Sequence, residues 1–213
     1  MIHSHLDMSP PVAAAVRSGC PVVLLESGCF CRLPYPQNLR VWTDAEQAIW
    51  QENCVPCTAA LLEGRLKAGL TKADAERLFK DRTVCSRAQL PVYAAQGFSA
   101  ALLPSAALSA AKLAGIVPVV SPGFRGEDED IDALALYDRL LFCAPPGPET
   151  EALLAARNIP LVPDSGAAAD AWLIQRELGS PEGMACAGGS AMVTMCAAAC
   201  EAALALKVKT DFQ

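Results

Sequence analysis

A glutamate closes a continuous apolar run: Pro21-Val22-Val23-Leu24-Leu25 leads straight into Glu26. Such a run is the pattern of a buried strand. A carboxyl at its end is partly withdrawn from water, which raises its proton affinity and suits it to general acid–base work. The same setting also suits a Glu that accepts hydrogen bonds from loop amides, and both readings stay open. Cysteine is the second signal. Cys54-Val55-Pro56-Cys57 has CxxC spacing, Cys29 and Cys31 follow Glu26 closely, and Cys85 lies further on. Together these five thiols offer a soft-metal or redox site. Against that, Cys packs as a small apolar side chain, and a CxxC followed by a strand lacks the helix N-terminus that lowers a thiol pKa. His3 and His5 form His-x-His in a terminal segment, where surface exposure is expected. Gly188-Gly189-Ser190 precedes a helical stretch and is a weak anion-binding signal, equally explained as a turn.

The elements that must position these groups alternate between strand and helix. Strands are expected at Pro21–Leu25, Ile116–Val120, Arg139–Ala144 and Ile159–Val162. Thr58–Leu62 and Leu66–Leu70 flank Glu63-Gly64 and read as a hairpin. Pro34 and Pro36 make residues 32–38 a loop, so the following helix is expected to start at a Thr43 or Asp44 cap and run to about Glu52. Thr71 with Asp74 is a capping-box variant that opens a helix to about Lys80. Further helices are expected from Leu90-Pro91 to near Gly97, over Ser105–Ala114 with Gly115 as its stop, and over residues 149–158, 167–178 and 190–206. This order implies an α/β fold with helices covering a largely parallel sheet. Trp42, Trp50 and Trp172 fall on helices or at their ends, where core or subunit contact is expected.

Composition narrows the function classes. The chain of 213 residues has 17 basic and 23 acidic side chains, a net charge of −6, which disfavours a duplex nucleic-acid binder but leaves room for a small phosphorylated ligand. With 53% hydrophobic and 19% charged residues, disorder over most of the chain is excluded. Aromatics are only 6%, so the core must be built from Ala, Leu and Val. No apolar run reaches the length of a membrane span, and no signal region precedes Pro10, so a cytoplasmic location is expected. In that compartment most of the ten cysteines would be buried thiols.

Three blocks carry a family resemblance. The first is Leu25-Glu26-Ser27 with Leu33-Pro34-Tyr35-Pro36-Gln37-Asn38; the second is Val55-Pro56-Cys57-Thr58-Ala59 with residues 63–70; the third is Ser86-Arg87-Ala88-Gln89-Leu90-Pro91 with Leu113-Ala114-Gly115-Ile116. In order and spacing the chain resembles the pseudouridine-5′-phosphate glycosidase family, which includes the indigoidine synthase A proteins, from about residue 12 to 164. The resemblance implies an N-terminal segment at 1–11, a single domain over 12–213 with an α/β/α sandwich, and a homotrimer. It implies reversible cleavage of the carbon–carbon bond between uracil and ribose 5-phosphate, through an opened sugar held as a lysine Schiff base beside a divalent metal, usually manganese. An iminium is an electron sink, and a desolvated lysine is neutral enough to attack. Glu26 matches the family acid/base, Asp130 its metal-ligating aspartate, and Asn38, Ser86, Arg87 and Arg125 its binding positions. Carboxylate oxygen suits Mn²⁺ or Mg²⁺. Asp130 also ends the acidic run Glu127-Asp128-Glu129-Asp130, which reads equally as a solvated helix start. The resemblance places Cys29, Cys31 and Cys85 beside the pocket.

The chain departs from the family at the amines. Val84 stands where one family lysine precedes the Ser-Arg block, and about Gly147 stands where the Schiff-base lysine follows Cys143-Ala144. Leu102-Leu103-Pro104 replaces a threonine-rich segment, and Phe124 replaces a histidine. Each change removes polar groups that a sugar phosphate needs. The expected function is therefore that of a divergent, shortened relative that has lost the family reaction and serves in binding or assembly, with a sugar-phosphate or nucleoside-type small molecule as its candidate ligand. The alternatives are an enzyme of altered chemistry using Glu26 and a metal at Asp130, and a cysteine-based metal or redox protein. Lys67 and Lys112 remain in the matched region and are expected to face solvent.

Overall fold

The computed structural model of the protein describes residues 6–121, the backbone of 140–143, and most positions between 196 and 204. The elements are β1 (Leu6–Met8), α1 (Pro10–Ser18), β2 (Val22–Glu26), a 3-10 turn at Phe30–Arg32, α2 (Gln37–Gln51), β3 (Val55–Leu62), β4 (Arg65–Ala68) and α3 (Lys72–Asp81). They continue with β5 (Val84–Cys85), α4 (Leu90–Ala95), β6 (Ala100–Leu102), α5 (Pro104–Ala114), β7 (Pro118–Ser121) and β8 (Leu140–Cys143). The main path of the sheet is β1-β4-β3-β2-β7-β8, with β6 on β3 and β5 on β6. Pairings β1–β4, β2–β3, β2–β7, β5–β6 and β7–β8 are parallel. Among the described strands the antiparallel pairs are β3–β4 and β3–β6. The fold is α/β with a mostly parallel sheet, as the strand–helix alternation implies.

One strand serves two neighbours along the same edge. The first half of β3 pairs with β2, ending at Glu26 with Ala59. The next residues, Ala60 and Leu61, pair with Ala101 and Ala100 of β6. β6 therefore takes over the edge of β3 where β2 leaves it. Two apolar cores lie on the two faces. α1 and α5 cover one, with Val12, Leu24, Ala59, Leu102 and Val119. α2 and α3 cover the other, with Leu25, Trp42, Ala60, Phe79 and Val120. In that second core the Phe79 ring centroid lies 5.5 Å from Phe30 and 6.0 Å from Trp42. Such aromatic pairs add about 0.5–1.5 kcal/mol each beyond the area they bury.

Several local expectations hold. Thr71 accepts from the Asp74 amide at 3.1 Å while Asp74 accepts from the Thr71 amide at 3.2 Å, completing the capping box of α3. The β3–β4 turn has φ of 51° at Glu63 and 78° at Gly64, the positive values a two-residue hairpin requires. Gly115 stops α5 with φ 74°. Within 196–204 the described residues are helical, and Cys196, Ala199, Cys200 and Ala203 are buried at helical spacing.

Others are corrected. α2 begins at Gln37, directly after Pro36, and Thr43 is interior to it, its hydroxyl donating to the Leu39 carbonyl at 2.8 Å. The helix starts early because its buried stripe already includes Asn38, Val41, Trp42, Ala45 and Ile49. Lys67 is not a free surface residue: it is half-buried and bonds Asp74 at 2.7 Å. Lys112 is exposed, as expected. Trp42 is core, whereas Trp50 is 52% exposed. No helix among the described residues is long and apolar enough to cross a membrane. The expected elements at 149–178 lie outside the described residues, as do His3, His5, Trp172 and Gly188–Ser190.

Candidate functional site

The carboxyl ends of parallel strands in an open α/β sheet are where ligands gather, and Glu26 stands at such an end. Along β2, Val22 and Leu24 enter the α1/α5 core while Val23 and Leu25 enter the α2/α3 core. The alternation turns Glu26 toward the α1/α5 face. It is fully buried, and the hydroxyl of Ser121, also fully buried, donates to its Oε2. Ser121 ends β7 one step beyond the Leu25–Val120 pair, and it is in register with Cys143 at the end of β8. Three neighbouring strands thus finish side by side.

The backbone after Glu26 is tied down by the change of neighbour at β3. Ser27 Oγ donates to the Ala59 carbonyl at 2.5 Å and accepts from the Leu102 amide at 2.8 Å. The Gly28 amide donates to the Leu102 carbonyl at 2.9 Å. A Cβ at Gly28 would lie 2.8 Å from that carbonyl, 2.9 Å from Glu26 Oε1 and 3.1 Å from Leu103 Cδ2. Only glycine allows the chain to pass so close to the carboxyl. The Cys29 thiol then donates to the Glu26 carbonyl at 3.1 Å.

Ser86 and Arg87 reach the same place from the opposite direction, because β5 and β6 run antiparallel to β3 and β2 and their carboxyl ends face that of β2. The Leu103 amide donates to the Cys85 carbonyl at 3.0 Å, and the Arg87 amide donates to Ser105 Oγ at 3.2 Å. The Ser86–Arg87 turn therefore abuts the first turn of α5, whose N-cap is Leu103. Gln89 accepts from the Ser86 amide at 2.9 Å and from its hydroxyl at 3.2 Å. Glu26, Cys29, Cys85, Ser86, Arg87 and Ser121 form one neighbourhood, with Leu102 and Leu103 between its halves.

The other sequence-flagged residues fall elsewhere. Asn38 is a buried brace: its amide group donates to the Phe79 carbonyl at 2.9 Å and to the Leu33 carbonyl at 3.3 Å. Cys54 and Cys57 do not form a pair, because Cys54 enters the α2/α3 core and Cys57 the α1/α5 core. Burial pushes Cys85 up to about 11 and raises Cys54 and Cys57 as well. Cys31 is a buried core residue, and its carbonyl accepts from Arg82 Nε at 2.7 Å. Arg125 and Asp130 lie outside the described residues, as do Phe124 and Gly147. Among the described residues no group of three or more His, Cys, Asp or Glu side chains is placed to hold a metal ion. The described residues by themselves supply no metal centre for the manganese that the resemblance implies.

Two residues escaped the sequence reading. Ser121 looks like the first residue of a loop, and its part emerges only from the register of β7 with β2. Glu46 is the other. On α2 its Oε1 accepts from Thr58 Oγ1 at 2.7 Å, and Thr58 Oγ1 accepts from Trp42 Nε1 at 2.8 Å. Burial pushes Glu46 up to about 7 against the pull of these hydrogen bonds.

Comparison with known proteins matches residues 11–131 to the family described as indigoidine synthase A like protein. The chain is 40% identical over 141 residues to a pseudouridine-5′-phosphate glycosidase of Deinococcus radiodurans, covering 63% of this chain and 45% of that one. It is 36% identical over 125 residues to the same enzyme of Petrotoga mobilis, covering 57% of this chain and 41% of that one. The matched region thus spans less than half the length of these curated relatives. Among solved structures, the prealnumycin C-glycosynthase AlnA in complex with ribulose 5-phosphate is similar with TM-score 0.70 at 17% identity, over 99% of both chains. An indigoidine synthase A-like protein of Thermotoga maritima is similar with TM-score 0.64 at 15% identity, over 96% of this chain and 98% of that one. At those identities the structures support the fold.

Proposed function

The chain belongs to the indigoidine synthase A-like family, and from that premise we propose that it binds a sugar-phosphate or nucleoside-type small molecule at the carboxyl ends of β2, β5, β6 and β7 without cleaving a carbon–carbon glycosidic bond. The family acid/base position is kept as Glu26, while the amine positions read Val84 and about Gly147. One observation carries this reading: among the described residues, each lysine lies away from the Glu26 carboxyl. Lys67 pairs with Ala60 across the hairpin, so it points to the opposite face, where it bonds Asp74 of α3. Lys80 bonds Glu76 at 2.8 Å on the same α3. Lys72 is exposed at the start of α3. Lys112 is exposed near the far end of α5, about 12 Å along the axis from the turn beside Gly28. None of these four lysines is placed to form an iminium on an opened sugar beside Glu26, and Lys207 and Lys209 lie outside the described residues.

What remains can bind. The Arg87 guanidinium and the first turn of α5 are candidate donors for an anion, and Glu26 can accept from sugar hydroxyls or hold a proton near them. A homotrimer and Mn²⁺ held through Asp130 are carried over from the family as parts of this proposal, to which a cytoplasmic location is added. The second reading, altered chemistry in the same place, is favoured by the bond between Ser121 and Glu26, since a buried carboxyl kept in a fixed orientation is equipped for proton transfer.

Thermal unfolding with ribose 5-phosphate tests binding: a ligand at a hundred times its Kd stabilises by about 2.7 kcal/mol. An unchanged melting temperature at millimolar ribose 5-phosphate contradicts the binding half. Incubation with pseudouridine 5′-phosphate and Mn²⁺ tests the other half. No uracil release is expected, and turnover at an enzyme-like rate overturns it.

A further inference from the structure

We infer that Ser121 is a positioning residue of the Glu26 carboxyl, holding Oε2 so that the carboxyl presents one fixed orientation to a ligand at the strand ends. The inference rests on the reading that the ligand sits there. Three independent features of the fold converge on it. The two residues end adjacent parallel strands, and both project to the α1/α5 face. Both are fully buried, so water does not substitute for the hydroxyl. The backbone around the carboxyl is already fixed, by Ser27 bridging Ala59 and Leu102 and by Gly28 against the Leu102 carbonyl. What the backbone leaves undetermined is the terminal torsion of the Glu26 side chain, which is intrinsically broad. The Ser121 hydroxyl acts on that torsion. It donates to the carboxylate and so favours the charged form as well as one orientation.

A hydroxyl that merely fills space would leave the proton equilibrium of Glu26 alone, so the test follows protons. The full chain is prepared with ¹³C at the glutamate carboxyls, and the Glu26 signal is identified by its loss in Glu26→Gln. Ser121→Ala is expected to move the midpoint of that signal upward by about one pH unit. The pH profile of ribose 5-phosphate binding is expected to move with it. Ser121→Thr keeps the donor and restores both. Ser121→Cys, close in volume but a weak donor, is expected to lie between, and it serves if the alanine variant does not fold. An unmoved Glu26 midpoint in Ser121→Ala or Ser121→Cys overturns the inference whatever the ligand does. A moved midpoint with an unmoved binding profile overturns the positioning role. Should the wild-type chain not bind ribose 5-phosphate at any pH, the ligand reading fails and the positioning role fails with it; the midpoint then shows only whether the bond exists.

Discussion

A buried carboxyl and a half-buried one receive the same kind of partner in this protein and sit in opposite places. Glu26 takes a hydroxyl from Ser121 at the end of the sheet, and Glu46 takes one from Thr58 across the helix–sheet interface. Glu26 lies on the α1/α5 face where parallel strands finish, beside a glycine that admits close approach. Glu46 lies midway along α2 on the other face, and a third partner, Trp42, stands behind its hydroxyl. Placement, more than chemistry, separates a candidate ligand group from an internal brace. A strand-end carboxyl faces the region where loops bring ligands, whereas the half-buried Glu46 is turned onto Thr58 at the helix–sheet interface.

The contrast can be broken by mutation. Gly28→Ala is expected to have the largest effect, about 2–3 kcal/mol in chemical denaturation, because its Cβ would be forced against the Leu102 carbonyl and the Glu26 carboxyl. It should also weaken ribose 5-phosphate protection. Thr58→Val comes next. It removes the donor to Glu46 and the acceptor of Trp42 together, at a cost of about 2 kcal/mol, and should leave ligand protection in place. Equal loss of ligand protection in both variants would dissolve the distinction between the two carboxyls.

Glu46 also has a signature in pH. Its folded value of about 7 lies above the ordinary 4.5, so the folded state holds that proton more tightly. Its stabilising effect is full below the ordinary value, is lost as pH rises through about 7, and is flat above. Glu46→Gln is expected to flatten the melting temperature across that window and to raise it at pH 8. A slope as steep as that of the wild type would place the titration elsewhere. The smallest effect is expected at Lys67→Met, which breaks the half-buried pair with Asp74 at a cost of about 1 kcal/mol. Since Lys67 lies on the face opposite Glu26, ribose 5-phosphate protection should be unaltered; its loss would bring this lysine into the site.

The legible parts of the sequence were those written locally. Thr71 with Asp74, Glu63 with Gly64, and the Gly115 stop each act within a few residues, and each formed as read. Two prolines before Gln37 read as a loop and point to a later helix start, while the buried stripe from Asn38 onward, a tertiary feature, extends α2 back to Gln37. β6 was missed because Ala100-Ala101-Leu102 is short and lies in an Ala-rich stretch, and only its pairing with β3 and β5 defines it. Of the candidate site, Glu26 stands out in the sequence because an apolar run ends on it, and Ser86 and Arg87 through the block that carries the family resemblance; the structure brings the three near one another without testing their roles. Asn38 belonged to an equally recognisable block and proved a brace between backbone carbonyls. Ser121 and Glu46 depend on register and on helix–sheet packing, which no spacing along the chain encodes.

The central claim is that the carboxyl survives where the amine has gone, and reductive trapping addresses it most directly. The protein is incubated with ribose 5-phosphate and borohydride, and the intact mass and its peptides are measured. The account predicts an unmodified chain over the minutes in which a Schiff-base enzyme is fully trapped. A stoichiometric pentose-phosphate adduct on any one lysine would contradict it.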